Sequence, residues 1–176
     1  MKIGCLGWGS LIWKPGDLKV AGEWHTDGPA VPIEFCRVAD GGELATAICL
    51  GARPVDVLWA RLGPTSLGQA CDDLSRREGI PEHRTDGIGT LLVRDDDGVE
   101  GLSRWAVERG LDALIWTALP PRFQNIENRI PSAGEAISYL TNRRAENRTH
   151  ARDYIQQVPE QIATRYRMAF AEQLGW

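Results

Sequence analysis

Leu6-Gly7-Trp8-Gly9-Ser10-Leu11-Ile12-Trp13-Lys14-Pro15-Gly16 is the stretch from which the rest of this chain is interpreted. A short apolar run, Lys2–Leu6, precedes it and reads as a strand, so the glycines fall where the chain turns. Gly7, Gly9 and Ser10 carry little or no side chain. That leaves backbone N–H groups of the turn unobstructed, and such a concavity suits a carboxylate or an oxyanion. The plainer alternative is a tight turn with no ligand. Gly4-x-x-Gly7-x-Gly9 is a permuted form of the dinucleotide fingerprint, but its order is wrong. Trp13-Lys14-Pro15-Gly16 also stops any helix where a phosphate-binding helix begins, so no nucleotide is expected. The apolar run behind Lys2 imitates a signal peptide. Its glycines, its lack of a small-residue cleavage site and its passage into Lys14-Pro15-Gly16 assign it to the fold instead.

Outward from this turn, Glu43–Leu50 and Val55–Leu62 read as strands around Gly51-Ala52-Arg53-Pro54. Ile88–Arg94 and the segment after Gly98 read as a hairpin over Asp95-Asp96-Asp97-Gly98. Asp112–Thr117 reads as a further strand, stopped by Pro120-Pro121. Ser66-x-x-Gln69 opens a helix to about Arg77, with Gly79 as its stop, and Ser132-x-x-Glu135 opens another to about Arg143. Ile162, Tyr166, Ala169, Phe170 and Leu174 fall at helical spacing between Glu160 and Leu174. Strands come first and helices mostly later, which favours α+β architecture in one domain over residues 1–176, the C-terminal helices packed on it.

The 176 residues are 43% apolar and 25% charged, with net charge −4. Lys2, Lys14 and Lys19 lie in the first twenty residues and the arginines are scattered among acids, so no phosphate-backbone partner is expected. No stretch is long and apolar enough to span a bilayer. Cys5, Cys36, Cys49 and Cys71 are far apart, without zinc spacing or the density of a disulfide scaffold. They read as reduced core thiols of a cytoplasmic protein. His25, His83 and His150 have no ligating partner at i+4. Asp95–Asp97 lacks the spacing of a calcium loop and reads as a polar turn.

Glu78 stands out. Leu67, Ala70, Cys71 and Leu74 form one helical stripe, with Asp72, Asp73 and Arg76 pointing away, and Glu78 continues that stripe. A carboxylate on the inward face at a helix C-terminus is disfavoured as an anion by burial and by the helix dipole. Both raise its pKa toward the range useful for proton transfer. The alternative is that the helix frays at Gly79 and Glu78 turns to solvent or pairs with Arg77.

These two features together resemble the ChaC-like gamma-glutamylcyclotransferases. The turn is similar to that family's G-Y-G-S-L-I-W-x-P opening, with Trp8 in place of tyrosine. Leu74-Ser75-Arg76-Arg77-Glu78-Gly79 is similar to its L-x-x-R-E segment, and Ala45–Leu50 stands where its first barrel strand follows the substrate loop. The likeness covers roughly the first 120 residues. After Glu78 the usual K-G-G-Y is shortened to Gly79-Ile80-Pro81. The resemblance implies a small mixed β-barrel flanked by helices, with catalytic Glu78 and substrate bound by Gly7, Trp8, Gly9, Ser10 and Leu11, in one shared pocket. It implies cyclisation of a γ-glutamyl group to 5-oxoproline with release of an amine or amino acid, and no metal, nucleotide or redox cofactor. Replacing Gly9 by Val is then expected to block the ligand while sparing the fold. A non-catalytic small-molecule-binding domain on the same scaffold is the alternative. A hydrolase using Ser10 would lack a recognisable histidine partner.

Overall fold

The computed structural model describes residues 1–93 and 101–176. The chain divides into two compact units. One is made of Met1–Gly7, Leu11–Pro29 and Asp56–Leu119, the other of Trp8–Ser10, Ala30–Val55 and Pro120–Trp176.

In the first unit, β1 (Ile3–Gly7), β2 (Val20–His25), β6 (Leu58–Leu62), β7 (Ile88–Leu92) and β8 (Ala113–Thr117) form a mixed sheet in the order β2-β6-β1-β8-β7. β1 is central. It runs antiparallel to β6 (Cys5 opposite Ala60) and parallel to β8 (Cys5 opposite Ile115), and every residue in it is buried. Such continuous burial explains why it reads as an apolar run rather than as an alternating strand. Helix α1 (Leu67–Glu78) packs against β8 and β7. Ser66 caps it by accepting from the Gln69 N–H, while the Gln69 side chain turns to Asp73 (2.8 Å) instead of closing a capping box. Gly79, at φ 64°, ends it, with Ile80 N–H returning to the Ser75 carbonyl. Ala70 and Leu74 enter the core beside Ile3, Cys5 and Ile115.

Asp73 departs from expectation. It is buried, 5% exposed, and held by Gln69 and by Arg76 at 3.4 Å, because two polar neighbours on its own helix satisfy the carboxylate as it tilts inward. The hairpin expected over Asp95–Gly98 lies outside the described residues. Gly101 caps helix α2 (Leu102–Glu108), and β7 pairs antiparallel with β8, Ile88 opposite Thr117.

The second unit holds β3 (Ala30–Val38), β4 (Leu44–Ile48), β9 (Arg122–Phe123) and β10 (Ile126–Glu127) in the order β10-β9-β3-β4. β5 (Pro54–Asp56) pairs with β3. A register shift between Phe35 and Arg37 marks a bulge against β4. Helices α3 (Ala133–Thr141), α4 (Ala145–Gln157) and α5 (Arg165–Leu174) follow. Ser132 and Glu135 form a complete capping box on α3. Phe170 of α5 meets Phe35 edge to face at 5.7 Å, both fully buried.

The architecture is therefore α+β. Neither sheet closes on itself among the described residues, so the closed barrel implied by resemblance is replaced by two open mixed sheets. All four cysteines are free thiols, three of them buried. No helix among the described residues is long and apolar enough to cross a membrane.

Candidate functional site

In the second unit, the Trp8–Ser10 turn is anchored by β4 and α4. Thr46 Oγ1 donates to the Trp8 carbonyl at 3.1 Å and lies 3.4 Å from the Tyr154 hydroxyl. A threonine hydroxyl has one proton, and a carbonyl can only accept. Thr46 therefore spends its proton on Trp8, and Tyr154 is the donor in the second bond. Gly9 is buried, and among the described residues its own N–H donates to nothing. A buried, unpaired amide costs about 1–3 kcal/mol, so such a group calls for an explanation. A ligand oxygen or a water would supply one.

Gly9 is glycine for want of space. A Cβ there would stand 2.6 Å from Thr46 Oγ1 and 2.8 Å from the Tyr154 hydroxyl. The expectation that Gly9→Val spares the fold runs against this crowding: the new side chain meets Thr46, which is buried, and Tyr154, which is half-buried. Gly7, in the first unit, is equally crowded, its Cβ position lying 2.6 Å from Trp24 Cζ3. Leu11 is buried, also in the first unit, and Ser10 is half-buried in the second.

Glu78 belongs to the first unit and keeps an inward position. Its side chain is 15% exposed, and its negative charge helps burial push the Cys5 thiol upward. Arg77 Nη1 donates to Glu78 Oε1 at 2.6 Å, and Arg77 Nε donates to the Lys14 carbonyl at 2.8 Å. Gly16, at φ 59°, brings its Cα against the stem of the same arginine; a Cβ there would lie 3.0 Å from Arg77 Cγ. One guanidinium thus joins the end of the Trp13–Gly16 segment to the Glu78 carboxylate. Glu78 Oε2 accepts no hydrogen bond among the described residues. The pairing with Arg77 and the inward placement, weighed as alternatives in the sequence, occur together.

Other polar groups escaped sequence reasoning. Glu34 of β3 is 4% exposed. Its Oε1 accepts from the Phe35 N–H (2.9 Å) and its Oε2 from the Tyr166 N–H (3.3 Å). Burial raises its pKa above the ordinary glutamate value, against the pull of bonds from Thr164 and these amides. A cavity of about 820 Å³ beside α3 is lined by residues including Phe123, Ser138, Tyr139, Asn142 and Arg143, and by none of the expected site residues. Thr46 offered a faint signal, a hydroxyl between Ala45 and Ala47 in an apolar strand; Tyr154 offered none. No group of three His, Cys, Asp or Glu side chains converges among the described residues as a metal set would.

The chain matches no protein-family model, no curated protein and no solved structure.

Proposed function

We propose that this chain cyclises a γ-glutamyl group to 5-oxoproline, releasing an amine or amino acid. The observation that carries the proposal is the Arg77 bridge. The two short segments that resemble the gamma-glutamylcyclotransferases are remote in sequence, and one side chain bonds to both of them. A carboxylate held through one oxygen keeps a fixed direction and leaves the other oxygen to exchange a proton.

The reaction asks little of the protein. The substrate's α-amine attacks its own γ-carbonyl carbon, forming the ring C–N bond and placing negative charge on the carbonyl oxygen. Glu78 Oε2 takes the proton released by the attacking amine. It returns that proton to the departing nitrogen as the original amide bond breaks and the carbonyl re-forms. Binding the substrate folded, with amine and carbonyl adjacent, supplies much of the rate. The protein is cytoplasmic in this proposal, and its partner is a small γ-glutamyl compound.

A panel of γ-glutamyl amino acids, γ-glutamylamines and glutathione, assayed for 5-oxoproline, tests the proposal. Release from one of them is expected. If none is turned over but one still binds, the non-catalytic reading prevails, and the Arg77–Glu78 ion pair is the observation that favours it: a carboxylate already paired is suited to holding a fold together.

A further inference from the structure

We propose that Thr46 and Tyr154 are positioning residues that aim the Gly9 N–H at a carboxylate or carbonyl oxygen of the bound ligand. This rests on the cyclisation proposal only for the identity of that ligand.

The chain has no cis peptide among its described residues, and in a trans peptide the carbonyl and the following N–H point in opposite directions. The Trp8 carbonyl is fixed toward β4 by Thr46 Oγ1 at 3.1 Å. The Gly9 N–H of that same peptide is therefore directed away from Thr46, and it finds no acceptor among the described residues although Gly9 is buried. A plain turn would rotate the peptide or pair the amide. Here a hydroxyl from β4 and, behind it, a phenol from α4 prevent that rotation.

The proton order gives each residue a distinct task. Tyr154 donates to Thr46, and Thr46 donates to Trp8, so the phenol removes the alternative in which Thr46 turns its proton elsewhere. Chained donors also polarise one another, which strengthens the terminal bond to the Trp8 carbonyl. Glycine at position 9 lets both hydroxyls approach the backbone closely. A carboxylate or carbonyl oxygen is the complementary ligand, since a lone N–H can only donate.

The experiment follows the Gly9 amide by ¹⁵N–¹H NMR while L-glutamate or 5-oxoproline is added to the full chain. In the wild type the Gly9 signal is expected to move with at least one probe. Thr46→Val keeps the volume and removes the hydroxyl, and Thr46→Ser restores it. Val is expected to weaken the titration about fivefold to tenfold, the scale of one net hydrogen bond, and Ser to recover it. Tyr154→Phe is expected to give a smaller loss in the same direction and serves if the Val variant folds poorly. A Gly9 signal unmoved by both probes overturns the inference, as does a Thr46→Val or Tyr154→Phe variant that titrates like wild type. Turnover is measured separately. Movement of Gly9 without 5-oxoproline release defeats the cyclisation proposal and supports the inference. Turnover unaltered in both variants, with Gly9 unmoved, does the reverse.

Discussion

Arg77 and Glu78, adjacent in sequence at the last turn of α1, are bound side chain to side chain at 2.6 Å, with exposures of only 11% and 15%. Neighbouring helical residues do not ordinarily face each other. Here Gly79 ends the helix in a left-handed conformation, so Glu78 is freed from the regular spacing of the turns before it. Arg77 reaches onward to the Lys14 carbonyl. Arg77, which holds the carboxylate, is itself anchored on the segment that follows the glycine-rich turn.

Glu78→Gln tests whether that carboxylate does chemistry. The substitution keeps shape and an oxygen for Arg77 while removing the proton acceptor. Cyclisation is expected to fall by about 10²-fold or more, the usual scale for a general base, with substrate still bound. Steady-state 5-oxoproline release together with calorimetric binding measures both. Near wild-type turnover by this variant would remove Glu78 from the mechanism.

Gly9→Ala is expected to destabilise the protein by about 1–3 kcal/mol, the cost of overpacking a filled site, and Gly9→Val by more. The collision is with Thr46 and Tyr154, so adding Thr46→Ala is expected to recover part of the loss. Urea denaturation of the single and double variants gives the coupling. A Gly9→Ala protein as stable as wild type would show that these walls yield.

The parts of this molecule that were legible in sequence are those fixed by local chemistry. Ser66, Gly79 and the Ser132–Glu135 box mark helix ends because each satisfies backbone groups within a few residues of itself. Helix α4 had no such mark: Arg144 precedes it without a side-chain cap, and only Ala151 and Ile155 within it are buried. β2 escaped because four of its six residues are exposed, and β3 because Pro32 and Glu34 interrupt its apolar pattern. The Asp95–Gly98 turn suggested a local hairpin, yet the partner of β7 comes after α2. The site divides in the same way. The turn was visible from its glycines, whereas Thr46 reaches it from 38 residues away and Tyr154 reaches Thr46 from a further 108, a pairing no spacing rule encodes.

Asp27 gives a pH signature to the first unit. Its Oδ1 accepts from Trp59 Nε1 at 2.8 Å and its Oδ2 from Arg109 Nη2 at 2.7 Å, while Arg109 stacks over Trp105. The Trp59 bond first and Arg109 second hold its pKa below the ordinary aspartate value. A depressed folded pKa means that the unfolded chain binds the proton more readily. The stabilisation is thus complete above the unfolded value, about 3.8, and is lost as pH falls through the lower folded value. The side chain is 64% exposed, so solvent screens the pair and the effect is modest. The difference in urea midpoint between wild type and Asp27→Asn is expected to be constant near neutrality and to shrink in strong acid. A difference that persists undiminished below the folded pKa would assign the contribution to shape rather than charge.

Glu34 has the opposite sign. Burial dominates its environment and raises its pKa above the ordinary value of 4.5, despite acceptance from Phe35 and Tyr166 amides and a bond from Thr164. The folded chain then holds the proton more tightly than the unfolded chain. Stability contributed by the protonated form is present below 4.5 and is lost as pH rises through the folded value. Glu34→Gln cannot ionise. It also replaces one acceptor oxygen by an amide that cannot receive the Tyr166 N–H, a cost independent of pH. The informative quantity is therefore the slope and not the offset. Measured by urea denaturation from below 4.5 to neutrality, the variant is expected to gain on the wild type as pH rises. If it loses ground instead, the amides at the start of α5 outweigh burial, and Glu34 is an anion that this helix terminus was built to hold.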